Sequence, residues 1–116
     1  MAIEHNETEP VFDDTTLSEL RKILQDDLRE VMASIPPEAA RALNLIKAAV
    51  VAKDLDAARA AAHSLTGMAL NFGAVRIAAI ARSIAINSPD IGTAARHIGP
   101  LERAIGETCA RIELTV

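Results

Sequence analysis

The chain has 116 residues, half of them apolar, and a formal net charge of −4 with basic and acidic residues interspersed. This length fits one domain with a single modest core, and we expect a soluble monomer. The charge pattern provides neither the basic footprint of a nucleic-acid-binding protein nor a polybasic membrane patch, and the apolar runs fall far short of the roughly 20 residues that cross a bilayer.

Residues 1–15 are predicted to be an irregular, acidic lead-in. They contain five carboxylates and Pro10 with little apolar periodicity, although Phe12 is a candidate for anchoring the segment. The chain begins with acidic residues where a secretory signal would be basic and then apolar, so we expect a cytoplasmic protein. The single cysteine, Cys109, cannot form an internal disulfide and is interpreted as a small core residue.

Two helices are predicted in the first half of the chain. Thr16 followed by Glu19 is a capping-box pattern, and apolar residues at helical spacing then predict a helix that ends before Pro36. Pro37 suits the first turn of a second helix, whose apolar stripe continues to about residue 53.

Three further helices follow in the second half. Asp54 can cap the third helix, which reaches about Phe72, and Gly73 marks its end. A fourth helix carries an isoleucine stripe and ends at a turn over residues 87–90. The last helix also carries an apolar stripe, and Pro100 is expected to bend it because the proline ring crowds the carbonyl four residues earlier.

Every predicted element is helical, and short connections favour antiparallel neighbours. We therefore predict an all-α fold for residues 16–116, an up-and-down four-helix bundle with an additional N-terminal helix packed on it. The sequence has two phenylalanines and neither tryptophan nor tyrosine, so alanine and branched aliphatic residues must fill the core.

The third predicted helix places one histidine opposite its apolar face. On a helical wheel, the side predicted to face the core carries Ala58, Ala61, Ala62, Leu65, Met68, Ala69 and Phe72. The opposite side carries His63, which should point to solvent. Its neighbours there are Arg59, Ala60, Gly67 and Leu70, with Thr66 at the flank.

Gly67 and Gly73 are not explained by helix propensity, because glycine costs about 1 kcal/mol relative to alanine inside a helix. Ala60 and Gly67 leave the His63 ring standing clear, and a bulky residue at position 67 would obstruct an approaching macromolecule. The arrangement favours a reaction between proteins.

These residues resemble the histidine phosphotransfer domain family, whose pattern is roughly Ala-His-x-Leu-Lys-Gly with Gly-Ala at the next helix junction. The matching positions are Ala62, His63, Leu65, Gly67, Gly73 and Ala74. The family fold is a four-helix bundle with its histidine exposed midway along one helix, and the resemblance covers about residues 17–115.

The resemblance implies a phosphorelay intermediate, in which His63 takes a phosphoryl group from a receiver-domain aspartyl phosphate and passes it to another response-regulator aspartate. Neutral imidazole presents a nucleophilic nitrogen suited to this transfer. The implied protein is a phosphoryl carrier rather than an enzyme, with no ATP site, cofactor or metal of its own, because the receiver supplies magnesium. The implied partners are response-regulator receiver domains, with a hybrid histidine kinase as a further candidate.

The implied supporting or partner-binding residues are Arg59, Ala60, Thr66, Gly67 and Leu70. Two positions depart from the family pattern. Thr66 stands where lysine is usual, and Arg59, one turn earlier, is a candidate replacement for the missing cation. Ala85 stands where some members have a glutamine that orients the imidazole.

Two alternative functions remain open. The first is an adaptor that binds receivers without carrying phosphate, which Thr66 makes plausible. The second, and weaker, is a kinase fragment, but the chain is too short to contain an ATP-binding domain and lacks the proline that typically follows the histidine in kinase dimerisation helices.

Other charged or polar residues are interpreted as ordinary surface groups. His5 and His97 lack a supporting pattern and are expected to be solvated, as are Arg76 and Arg82. Leu70 fits a partner-binding surface and a scattered surface leucine equally well.

Overall fold

The computed structural model describes residues 9–115, and these form an all-α fold. No strand occurs among them, which confirms the predicted fold class. A short 3-10 turn, Gln25–Asp27, joins the first two helices. The helices are α1 (Asp14–Leu24), α2 (Leu28–Ala33), α3 (Ile35–Val51), α4 (Leu55–Asn71), α5 (Val75–Asn87), α6 (Ile91–Arg96) and α7 (Ile98–Thr115).

Four long helices form the predicted up-and-down bundle. Around the bundle, α3 packs on α4, α4 on α5, α5 on α7, and α7 on α3. The core at their centre is made of aliphatic side chains and alanines, and its large fully buried members include Met32, Ile35, Ile46, Leu65, Ile77, Ile80, Ile84 and Leu101. Within residues 9–115, no helix combines the length and apolar character needed to cross a membrane.

The N-terminal helix begins earlier than the capping-box pattern predicts, so that prediction is wrong. Asp13 occupies the N-cap and α1 starts at Asp14, which shortens the predicted lead-in by two residues. Thr16 lies inside the first turn, where its Oγ1 donates a hydrogen bond to Asp13 Oδ2 over 2.6 Å. The predicted single helix is also interrupted at Gln25, whose φ of +47° is incompatible with a continuous α-helix.

The end of the lead-in is anchored to the bundle, as predicted from Phe12. Val11 and Phe12 are buried in the core. Arg76, at the start of α5, adds two polar contacts: its Nε donates to the Glu9 carbonyl over 2.7 Å, and its Nη1 donates to Glu107 Oε1 over 2.8 Å. Arg76 is therefore a link between the lead-in, α5 and α7, and the expectation of an ordinary solvated charge is wrong.

Local signals predicted the ends of the central helices correctly. The proline pair Pro36 and Pro37 lies in the first turn of α3, where a missing N–H costs nothing. Asp54 caps α4 by accepting the Ala57 N–H at Oδ1 over 3.0 Å. Gly73, with φ of +71°, ends the turn after α4.

The C-terminal part contains a helix break where only a bend was predicted. The chain leaves α6 at Arg96 and starts α7 at Ile98, so Pro100 lies in the first turn of α7. Because proline lacks an N–H and its ring excludes a helical carbonyl four residues earlier, a new helix starts here instead of a continuous one. His97, at the break, is only 4% exposed, which contradicts its expected solvation, whereas His5 lies outside the described residues.

Cys109 is half-buried on α7 and packs against the core, as its interpretation as a core residue predicts. Burial, with a smaller contribution from the nearby Glu113 carboxylate, raises the pKa of its thiol. A raised pKa keeps the sulfur as an unreactive thiol at neutral pH.

Candidate functional site

The middle of α4 carries His63 on the outer surface of the bundle. The opposite face of this helix is buried, with Ala58, Ala62, Leu65 and Ala69 at most 1% exposed. The remaining residues predicted to face the core, Ala61, Met68 and Phe72, are partly buried against it. Packing of this face fixes the rotation of α4, so His63 is exposed.

His63 lines a shallow groove between α4 and α5 with a volume of about 260 Å³. The groove brings together four of the residues singled out from the sequence, namely His63, Thr66, Gly67 and Leu70. From α5 it adds Arg82, Ala85 and Ile86. Leu70 and Ile86 are 52% and 61% exposed, so the groove has an apolar rim on both helices.

Gly67 has open space where a side chain would stand. A Cβ built on this residue would meet no heavy atom within 4 Å beyond its own helix. No packing contact with residues 9–115 therefore requires glycine here, although glycine weakens a helix by about 1 kcal/mol relative to alanine. The missing side chain leaves the surface beside His63 low and accessible.

The hydroxyl of Thr66 is engaged by its own helix. Its Oγ1 donates to the Ala62 carbonyl over 2.8 Å, one turn back along α4. Thr66 lines the groove with its hydroxyl already bonded within α4. It contributes no charge at the position where the resembling family has lysine.

Arg59 points away from the groove to the turn after α5. Its Nη2 donates to the Ser88 carbonyl over 2.6 Å, while its Nε is buried without a hydrogen-bond partner in the described structure. Ser88 is fully buried, and its own hydroxyl donates to the Ser83 carbonyl over 3.1 Å. Neither Arg59 nor the exposed Ala60 lines the groove with His63.

Sequence reasoning missed the contribution of α5 apart from Ala85. Arg82 and Ile86 share the groove with His63, and Arg82 also lines a second depression of about 300 Å³ with Thr66 and Leu70. Positions 82, 85 and 86 have the i, i+3, i+4 spacing of one helix face. Extending the wheel analysis to α5 would have placed these residues together, but not beside His63.

The chemistry of the groove centres on one exposed imidazole. Within residues 9–115, no hydrogen bond holds the His63 ring, and no group of three or more histidine, cysteine or acidic side chains could hold a metal ion. An unencumbered imidazole with an apolar rim and an adjacent glycine is suited to nucleophilic attack on a group presented by a docked macromolecule.

Comparisons with known proteins agree with this geometry. The sequence profile of the Hpt domain family matches residues 14–107. A search of curated proteins gave no significant match. Among solved structures, the chain is similar to histidine-containing phosphotransfer protein B (HptB) from Pseudomonas aeruginosa PAO1, with a TM-score of 0.85 and 24% identity over 92% of this chain and 95% of that chain. At this identity the structural likeness supports the shared fold.

Proposed function

The chain belongs to the Hpt domain family, the histidine phosphotransfer proteins of phosphorelays, and on that premise we propose that His63 is the residue that carries the phosphoryl group. The observation that supports this choice is the exposure of His63 at the midpoint of α4, in a groove beside the open Gly67. The other described histidine, His97, is buried.

The proposed reaction has two transfers. First, an imidazole nitrogen attacks the phosphorus of a receiver aspartyl phosphate, and the N–P bond forms as the carboxylate oxygen leaves with the bonding electron pair. The other ring nitrogen releases its proton to solvent. In the second transfer, an aspartate oxygen of another receiver attacks phosphorus, the N–P electron pair returns to the ring, and the ring regains a proton.

The proposed docking surface is the α4–α5 face around His63. Leu70 and Ile86 provide exposed apolar contacts on either side of the groove, and Gly67 permits close approach of a receiver. Exposed apolar residues around a reactive group are typical of protein interaction sites. Arg59 and Ala60 lie on the same helix beyond the groove, where a larger receiver footprint would reach them.

In this proposal the protein is a cytoplasmic, monomeric phosphoryl carrier. Its partners are response-regulator receiver domains, with a hybrid histidine kinase as a candidate partner that would provide the donor receiver. We expect magnesium to come from the receiver, and no ATP site on this chain takes part.

The test is phosphoryl transfer from a panel of receiver domains labelled with radioactive acetyl phosphate. We expect label on the wild type that is acid-labile and alkali-stable, as phosphohistidine is, and no label on His63→Ala. Circular dichroism spectra should be the same for both proteins, since His63 is exposed. Equal labelling of His63→Ala would contradict the assignment of His63.

A second candidate function is an adaptor that docks receivers without carrying phosphate. The specific observation in its favour is that position 66 contributes no cation to the groove, because it holds a threonine whose hydroxyl is bonded to the Ala62 carbonyl. Receiver binding by the wild type with no transfer from any receiver, together with unchanged signalling by His63→Ala, would favour the adaptor.

A further inference from the structure

Arg82 is the cationic residue among the side chains that line the His63 groove. Among residues 9–115, the other side chains that line the groove are uncharged apart from the imidazole of His63. Arg82 also lines the adjoining depression with Thr66 and Leu70, so it borders the surface on the Thr66 side of His63. The Hpt family pattern places its lysine on this side, at the position of Thr66.

The Arg82 guanidinium is uncommitted within the part of the chain that the structure describes. Arg82 is exposed, and no hydrogen bond or ion pair with residues 9–115 engages its side chain. Glu9 lines the adjoining depression but forms no ion pair with Arg82. A free guanidinium can reorient toward an anion without first breaking an internal contact.

The two other arginines near this face are already engaged. Arg59 donates to the Ser88 carbonyl over 2.6 Å, and Arg76 is held by Glu9 and Glu107. Moving Arg59 into the groove would leave the buried Ser88 carbonyl without this donor, which costs free energy. Turning Arg82 toward the groove therefore costs less free energy than moving Arg59 there.

We propose that Arg82, on α5, binds the phosphoryl group carried by His63 and supplies the positive charge that Thr66 lacks. This inference rests on the proposed function, because it requires a phosphoryl group on His63. A guanidinium offers paired donors to phosphoryl oxygens and remains protonated throughout, so it forms charge-assisted hydrogen bonds without any change in covalent bonding. The charge favours both the phosphorylated state and the transition state for transfer.

The experiment uses phosphoramidate, a small phosphoryl donor, so that its outcome does not depend on finding a receiver. Wild type, Arg82→Gln, Arg82→Lys and Arg59→Gln would be phosphorylated, and the rate measured by phosphorus NMR. Arg111→Gln is the matched control, because Arg111 is also an exposed helical arginine but does not line the groove.

We expect Arg82→Gln to lower the phosphorylation rate about three- to tenfold, the range for losing one partly exposed charge-assisted hydrogen bond. The Arg82→Lys rate should lie between the wild type and Arg82→Gln, and Arg111→Gln should match the wild type. A second readout is the pH titration of the bound phosphoryl group. Loss of a nearby cation disfavours the dianion, so its titration midpoint should rise in Arg82→Gln alone among the glutamine variants.

Several results would overturn the inference. Arg82→Gln could match the wild type in both readouts, Arg59→Gln could be the variant that loses the rate, or neither phosphoramidate nor any receiver could label His63. The relay proposal is judged separately by the receiver panel. Receiver transfer with an unaffected Arg82→Gln leaves the relay intact and removes the role of Arg82. A lower rate for Arg82→Gln without transfer from any receiver would support the role of Arg82 and contradict the relay.

Discussion

Thr16 on α1 packs directly against Gly73, the residue that turns the chain from α4 into α5. A Cβ added to Gly73 would lie 2.8 Å from the Thr16 Cβ and 3.0 Å from its Cγ2. The Gly73 carbonyl also accepts the Asp13 N–H over 2.7 Å. The N-terminal helix is thus docked on the junction between the two helices that form the His63 groove.

Gly73→Ala is expected to destabilise the protein for two reasons. The φ of +71° disfavours any residue with a Cβ, and the added methyl group collides with Thr16. We expect the free energy of unfolding to fall by about 2 kcal/mol or more, measured by urea denaturation. Gly106→Ala is the control, because a Cβ there meets nothing within 4 Å and alanine should stabilise α7 by up to about 1 kcal/mol. Equal stability of Gly73→Ala and wild type would reject the packing argument.

Gly67→Gln is expected to block receiver docking while leaving the fold intact. A side chain at position 67 has free space within the protein but would project beside His63 into the space of a partner. Gly106→Gln is the matched variant, since Gly106 is equally open but lies on α7 and does not line the groove. Titration calorimetry with a receiver should show loss of binding for Gly67→Gln alone. Normal binding and transfer by that variant would show that Gly67 is not an access position.

Thr66→Lys should accelerate phosphoryl transfer or prolong the phosphorylated state. The substitution replaces a hydroxyl bonded to the Ala62 carbonyl with a cation at the edge of the groove, close to the developing phosphoryl charge. Thr66→Met provides similar length without charge and should give no such gain. Single-turnover transfer and phosphohistidine decay measure the effect, and matching kinetics for the lysine and methionine variants would exclude an electrostatic origin.

The Asp90 cap of α6 should make part of the stability depend on pH. Asp90 Oδ1 accepts the Thr93 N–H over 2.8 Å and the Thr93 hydroxyl over 2.9 Å. The bond from the backbone N–H, followed by the bond from the hydroxyl, lowers the pKa of the Asp90 carboxyl from its ordinary value of 3.8. A lowered pKa contributes stability above the pKa of the unfolded chain, and this contribution is lost as pH falls through the lower folded value.

Thermal melts of the wild type and Asp90→Ala should therefore differ most at neutral pH, with the alanine variant melting lower. The difference should shrink as the pH falls below about 4. Asp90→Asn keeps an acceptor that does not titrate, so its cap should persist in acid. A wild-type advantage over Asp90→Ala that stayed constant down to pH 2 would contradict the role of the ionised carboxylate.

Periodicity and local capping predicted most of the helices because both act over a few residues. Asp54, the proline pair before α3 and Gly73 each satisfy or terminate a helix through neighbouring atoms, and the wheel of α4 correctly predicted that His63 is exposed. The start of α1 was less predictable. Asp13 and Thr16 are both good N-cap residues. The observed N-cap is Asp13, whose N–H donates to the carbonyl of Gly73, far away in the sequence.

The sequence by itself determined an all-helical chain, the bundle topology implied by short connections, and one exposed histidine beside a glycine. These properties follow from local propensity and the 3.6-residue period. Only the tertiary structure decided that His97 is buried, that Arg76 links three segments, and that Arg82 rather than Arg59 borders the His63 groove. Such relationships depend on the relative position and rotation of separate helices, which the packing of the whole core sets.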